Sequence, residues 1–180
     1  MTQNDIFRRI RFIFNFNDAT MIAIFGLAGS TVTREQVSDW LKQDDKPDYK
    51  EISDSQLAAF LNGLIIKNRG RKEGPMPEAE TVLNNNMIFR KLKIALDFKD
   101  EDILEVMKAA GFPIGKHELS AFFRKPDHKN YRKCQSQILR NFLRGLQLKY
   151  RGDVAADAAD APGKDEAGKD KASGNKASGT

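Results

Sequence analysis

One helical pattern occurs twice in this chain, and that duplication restricts the fold more than any other feature. Leu57-Ala58-Ala59-Phe60-Leu61-Asn62-Gly63-Leu64 reads like Leu139-Arg140-Asn141-Phe142-Leu143-Arg144-Gly145-Leu146, 82 positions later. At the same offset Ile88, Phe89, Leu92, Ala95 and Leu96 repeat the apolar positions of Ile6, Phe7, Ile10, Ile13 and Phe14. Phe98 and Asp100 fall on Phe16 and Asp18, Gly111 on Gly29, Phe122 on Trp40 and Tyr131 on Tyr49. The match runs from Asn4/Asn86 to Lys67/Lys149 without a gap. Such a period means one supersecondary unit used twice. Each unit alone is near the size at which a core becomes marginal. The two are therefore expected to pack against each other about a pseudo-two-fold.

Local signals divide each unit into four helices. Asn4 reads as the N-cap of an amphipathic helix through Ile6, Phe7, Ile10, Ile13 and Phe14. Asp18 reads as the cap of a second helix, which Gly29 stops. Thr33-Arg34-Glu35-Gln36 and Ser53-Asp54-Ser55-Gln56 have the form of capping boxes, opening helices through Trp40 and through Leu57–Ile65. A mid-helix glycine costs roughly 1 kcal/mol against alanine. Gly63 and Gly145 therefore point to a close helix–helix approach at the same place in both copies. The predicted organisation is all-α, with tandem four-helix repeats over 1–69 and 84–151. A Gly/Pro-rich linker, 70–83, joins them, and a disordered tail, 152–180, follows, too poor in large apolar residues to offset its ordering entropy.

Several stretches resemble the bacterial YehS-like family: Asn4 with Ile6-Phe7-Arg8-Arg9-Ile10-Arg11, Phe112 with Leu119-Ser120-Ala121-Phe122-Phe123-Arg124, His128-Lys129-Asn130-Tyr131-Arg132, and Leu139 through Leu146. The resemblance spans about residues 3–149. It implies a duplicated, all-helical, cytoplasmic bacterial protein from a family of unknown function. It supplies no catalytic residues.

The single cysteine fits a reducing compartment, and no apolar run approaches the roughly 18 residues of a membrane span. With no leader-like opening, the expectation is a cytoplasmic chain without membrane contact. The residues do not suggest an enzyme, a metal site or a cofactor. His117, His128 and Cys134 are the only His and Cys residues, without ligand spacing. Gly26 and Gly29 lack the Lys-Ser/Thr of a phosphate loop. Cys134 falls on Ile52, which predicts a buried apolar role.

Charge is where the copies differ. Residues 1–69 carry nine bases and nine acids, whereas 84–151 carry fifteen and seven, so the excess lies wholly in the second copy. It concentrates between Arg124 and Arg151, in Arg124, Lys125, Lys129, Arg132, Lys133, Arg140, Arg144, Lys149 and Arg151. At 100° per residue Lys133, Arg140, Arg144 and Arg151 share one helix face, opposite Leu139, Phe142, Leu143 and Leu146. Their counterparts are Glu51, Ala58, Asn62 and Arg69, so the fold itself does not require the charge. Arg124, Lys125, His128, Lys129 and Arg132 lead into the stripe. Such a face suits the phosphates of RNA or DNA, with Tyr131 placed to stack on a base. The alternative is a protein–protein adaptor that meets an acidic partner through the same face. A weaker hint is helix-turn-helix-like: Asp18–Ala28 then Thr33–Leu41, and Asp100–Ala110 then Gly115–Arg124, the latter offering Lys116, His117, Ser120 and Arg124.

Overall fold

Caps and glycines set the helix boundaries. The structure, a computed structural model, describes residues 1–152. Within them the chain forms α1 (Gln3–Phe14), α2 (Asp18–Leu27), α3 (Arg34–Leu41), α4 (Asp54–Arg69), α5 (Asn85–Ala95), α6 (Asp100–Ala109), α7 (Lys116–Phe122) and α8 (Ser136–Arg151), with no strand among the described residues. Four helices belong to each copy. The expected disordered tail falls outside the described residues, apart from Gly152.

Two expected caps move. Thr2 caps α1, its hydroxyl accepting the Asp5 N–H while the Asp5 carboxylate accepts the Thr2 N–H. Asn17 caps α2, accepting the Thr20 N–H at 2.8 Å, and Asp18 is the first helical residue. In both cases a side chain three residues before the bonded amide was available one or two positions upstream of the residue expected. The capping boxes at Thr33/Gln36 and Ser53/Gln56 form as the sequence indicates. The expected helix over 115–124 is shorter, ending at Phe122.

Asn4, displaced from its expected capping role, is buried at 2% exposure and joins three segments. Its amide donates to the carbonyls of Trp40 (3.0 Å) and Lys50 (2.8 Å), and its Oδ1 accepts the Ile52 N–H (3.1 Å). Asn86 repeats all three bonds, to Phe122 (3.0 Å), Arg132 (2.8 Å) and Cys134 (2.9 Å). Each amide thus fastens the first helix of its copy to the end of the third and to the strap entering the fourth.

Within a copy, the fourth helix lies on the second at a glycine. A methyl at Gly63 would stand 2.8 Å from the Ile24 carbonyl carbon and closer still to its oxygen; one at Gly145 would stand 2.9 Å from that of Val106. Ile24 and Val106 are themselves 82 apart. The close approach read from the sequence is real, but it belongs inside each copy and not to the seam between them. Aromatic rings fill the space beside it: Phe7 lies on Phe60 at 5.0 Å and Phe89 on Phe142 at 4.6 Å.

Across the seam, α1 packs on α8 and α4 on α5. Because α8 repeats α4 and α5 repeats α1, this reciprocity is that of a pseudo-two-fold. The buried apolar residues of both copies form one continuous core. The joining segment is part of the packing. Gly70 turns the chain at φ 82°, and the return is anchored at Leu83, which is 4% exposed. The Leu83 N–H donates to Asp54 (2.9 Å), and its carbonyl accepts the Gln3 amide (3.2 Å).

Replacing Asn86 by alanine leaves two carbonyls and one N–H without their partner inside the protein. At about 1–3 kcal/mol per orphaned group, Asn86→Ala is expected to lose at least about 3 kcal/mol of stability in urea unfolding. The half-buried neighbour Asn85, with one amide bond to the Cys134 carbonyl, is expected to lose about 1 kcal/mol on the same change.

Candidate functional site

The exposed basic residues between Arg124 and Arg144 fall into three groups. The first is the turn between α7 and α8. Arg124, Lys125, Asp127, His128 and Lys129 line an open depression of about 560 Å³. His128 folds back on the turn: its Nδ1 accepts the Asn130 N–H at 3.0 Å, and its Nε2 lies 3.5 Å from Arg124. The second is the strap into α8. There Arg132 and Lys133, with Glu118, Phe122, Gln135, Gln137 and Ile138, border a smaller hollow of about 350 Å³. Arg132 pairs loosely with Glu118 at 3.9 Å. The third is Arg140 and Arg144, one turn apart on the solvent side of α8.

The single stripe expected from helical periodicity is therefore divided. Lys133 precedes the first residue of α8, so the 100° spacing does not apply to it. Arg151 leaves the stripe at the other end, its guanidinium lying over the Phe12 ring at 4.8 Å, in the seam beside the Phe14–Tyr150 contact. Arg140 and Arg144 alone keep the predicted placement on the helix. Neither they nor Arg124, Lys125, Lys129 and Lys133 forms an ion pair with an acid among the described residues.

Comparison with copy one shows why Arg124 lacks an acid partner. There Asp39, 4% exposed, pairs with Lys42 (2.8 Å) and Lys50 (3.4 Å). The Lys42 hydrogen bond, with the Lys50 contact behind it, holds the Asp39 carboxyl below its ordinary range. Lys42 and Lys50 correspond to Arg124 and Arg132, but Asp39 corresponds to Ala121. The second copy keeps both cations and deletes the acid between them. Sequence reading missed this, although the exchange is visible in the repeat alignment. It also missed Arg9 of α1, half-buried, without an ion pair among the described residues, and on the helix that packs against α8.

Other features are structural. Cys134 is 1% exposed, and burial pushes its thiol up to about 12, which suppresses the reactive thiolate at neutral pH. No group of three metal-capable side chains occurs among the described residues. Of the helix-turn-helix-like residues, Lys116 faces Glu101 at 3.7 Å, and α7 is seven residues long. Tyr131 is half-buried, like its counterpart Tyr49. No single helix among the described residues is long and apolar enough to cross a membrane.

Two copies of one all-α unit, joined in pseudo-two-fold fashion, define a tandem-duplicated helical protein. The family described as "Protein of unknown function (DUF1456)" matches residues 3–70 and again 85–152, and the chain belongs to that family. The chain is 41% identical over 150 residues to "Uncharacterized protein YehS" of Escherichia coli (strain K12), covering 83% of this chain and 96% of that protein. No solved structure matches it.

The depressed Asp39 carboxyl has a pH consequence. Its contribution is complete above the ordinary carboxylate value of 3.8 and disappears as pH falls through the lower folded-state value. The urea midpoints of the wild type and Asp39→Asn are expected to differ at pH 7 and to converge progressively as the pH is lowered below 3.8.

Proposed function

We propose that the second copy binds nucleic acid through Arg140, Arg144 and the cations of the α7–α8 turn and strap. The observation that carries this reading is the removal of the acid at Ala121. It leaves Arg124 without the partner that Lys42 has, and Arg132 with only the distant Glu118. Side chains held at a rigid helix face and around an open depression suit phosphate oxygens, which cations neutralise with release of counterions. Their spread over a turn, a strap and a helix favours backbone contact over reading of base edges. The same chemistry would serve an acidic protein segment; the pattern of salt dependence separates the two.

Binding to duplex DNA and single-stranded RNA oligonucleotides is measured across a salt series. For about four phosphates neutralised on duplex DNA, log K is expected to fall against log salt with a slope of about −3.6. The double change Arg140→Ala with Arg144→Ala should reduce that slope by about 1.8, about 0.9 per contact. No detectable binding at low salt, or a slope indifferent to both arginines, overturns the reading. A discrete protein retained after nuclease treatment favours the acidic-protein partner instead.

Ala121→Asp supplies a separate test, because it restores the acid in an environment where copy one already accommodates it. It is expected to weaken binding several-fold while leaving the thermal midpoint close to that of the wild type. Affinity unchanged by Ala121→Asp argues against Arg124 and Arg132 as contacts.

A further inference from the structure

The pseudo-two-fold is covered on one side. On the α4–α5 side, Lys91 donates to Asn62 (2.6 Å) and pairs with Glu80 of the joining segment (2.8 Å). Asn62 and Ala58 are buried there, at 7% and 0% exposure. On the α1–α8 side the corresponding residues are Arg9, Arg144 and Arg140. Arg140 and Arg144 are exposed, Arg9 is half-buried, and none forms an ion pair among the described residues. One groove thus holds an acid-bearing segment between its helices, and its twin presents three cations to no acid among the described residues.

The chain also leaves the two helices in the same way. Gly70 (φ 82°, ψ 167°) donates its N–H to Ile66, and Gly152 (φ 70°, ψ −163°) donates its own to Leu148. Positive φ of this kind is accessible to glycine and strained for other residues. After Gly70 the chain carries Ala79 and Glu80 into its groove, with Glu78 exposed; after Gly152 come Asp153, Asp157 and Asp160, with no base before Lys164. At the 82-residue offset Asp160-Ala161 falls on Glu78-Ala79 and Pro162 on Glu80, so the acids of the second segment lie upstream of the position that pairs in the first. Reach is sufficient: Arg140 lies about 18 Å back along α8 from Gly152, and eight extended residues span about 26 Å.

We propose that residues 153–163 dock in cis along the α1–α8 groove, their carboxylates meeting Arg9, Arg140 and Arg144, and so compete with phosphate for this face. The competition rests on the nucleic-acid reading above; the docking does not. The segment would occupy the place that the joining segment takes on the other side. Three Asp side chains facing three Arg side chains supply the complementarity, and tethering through Gly152 supplies a high effective concentration.

The test uses the full chain with a nitroxide attached at Ala158→Cys; the native Cys134 is buried and does not label. Paramagnetic broadening is expected to peak at the amides around Arg9 and Arg140–Arg144. It is expected to fall at least about threefold with Arg140→Gln and Arg144→Gln, the scale of a few exposed charge pairs. Broadening confined to residues adjoining Gly152, spread evenly over the surface, or unchanged by the glutamines overturns the docking. Broadening that grows with protein concentration overturns docking in cis in favour of a second copy. In the full chain, Asp153→Asn with Asp157→Asn and Asp160→Asn should tighten oligonucleotide binding about threefold or more. Docking seen without that tightening overturns the competition. If no chain binds oligonucleotide, the nucleic-acid reading fails while the nitroxide measurement still decides the docking.

Discussion

A buried asparagine amide organises each half of the molecule. Asn4 and Asn86 sit in the first turn of α1 and α5, where an apolar residue would suit the surroundings. Instead each supplies two donors and one acceptor to backbone groups that no helix ladder reaches. The segment between the third and fourth helices has no regular structure to satisfy its own peptide groups, and burying it without partners would be expensive. The amide removes that cost and fixes where the fourth helix begins. The contact of Gly63 on Ile24, and of Gly145 on Val106, then follows from a strap whose length and anchor point are set.

That anchoring bears directly on the candidate site. The carbonyls to which the Asn86 amide donates are those of Phe122 and Arg132, one at each edge of the basic turn. The cations of the α7–α8 turn are therefore carried on a loop pinned at both ends, although their own side chains are exposed. A loop held in this way loses little further entropy when its side chains meet a charged partner. In copy one the same pinned turn is internally neutralised by Asp39 with Lys42 and Lys50. One scaffold thus carries two opposite electrostatic outcomes, set by Asp39 against Ala121 together with Asp44, Asp48 and Glu51 against Pro126, Asn130 and Lys133.

Much of the fold was legible in the sequence because the repeat is ungapped and its capping boxes are local. The eight helices, the buried Cys134 and the pairing of copies all follow from patterns visible within a few residues or at one offset. The caps at Thr2 and Asn17 were misplaced because several capping residues stood side by side, and tertiary hydrogen bonds claimed Asn4 for another purpose. The basic stripe was legible only in part. Periodicity presumes a helix, and Lys133 lies before α8 begins, while Arg151 is drawn into the seam by Phe12. Arg9 was hidden because its relation to α8 depends on packing between residues more than 130 positions apart.

The reciprocal packing of α1 on α8 and α4 on α5 has a consequence for what such a molecule can vary. In a true homodimer of single units, every substitution appears twice, and Arg at the Asn62 position would place positive charge beside a basic first helix on both sides at once. Lys91 and Arg9 show the difference: Lys91 rests on Asn62 and Glu80, whereas the residue that corresponds to Asn62 on the side of Arg9 is Arg144. Fusion into one polypeptide lifts the degeneracy. One side can be locked by the Lys91, Asn62 and Glu80 contacts and left to hold the halves together, while the unbalanced positive charge is confined to the other.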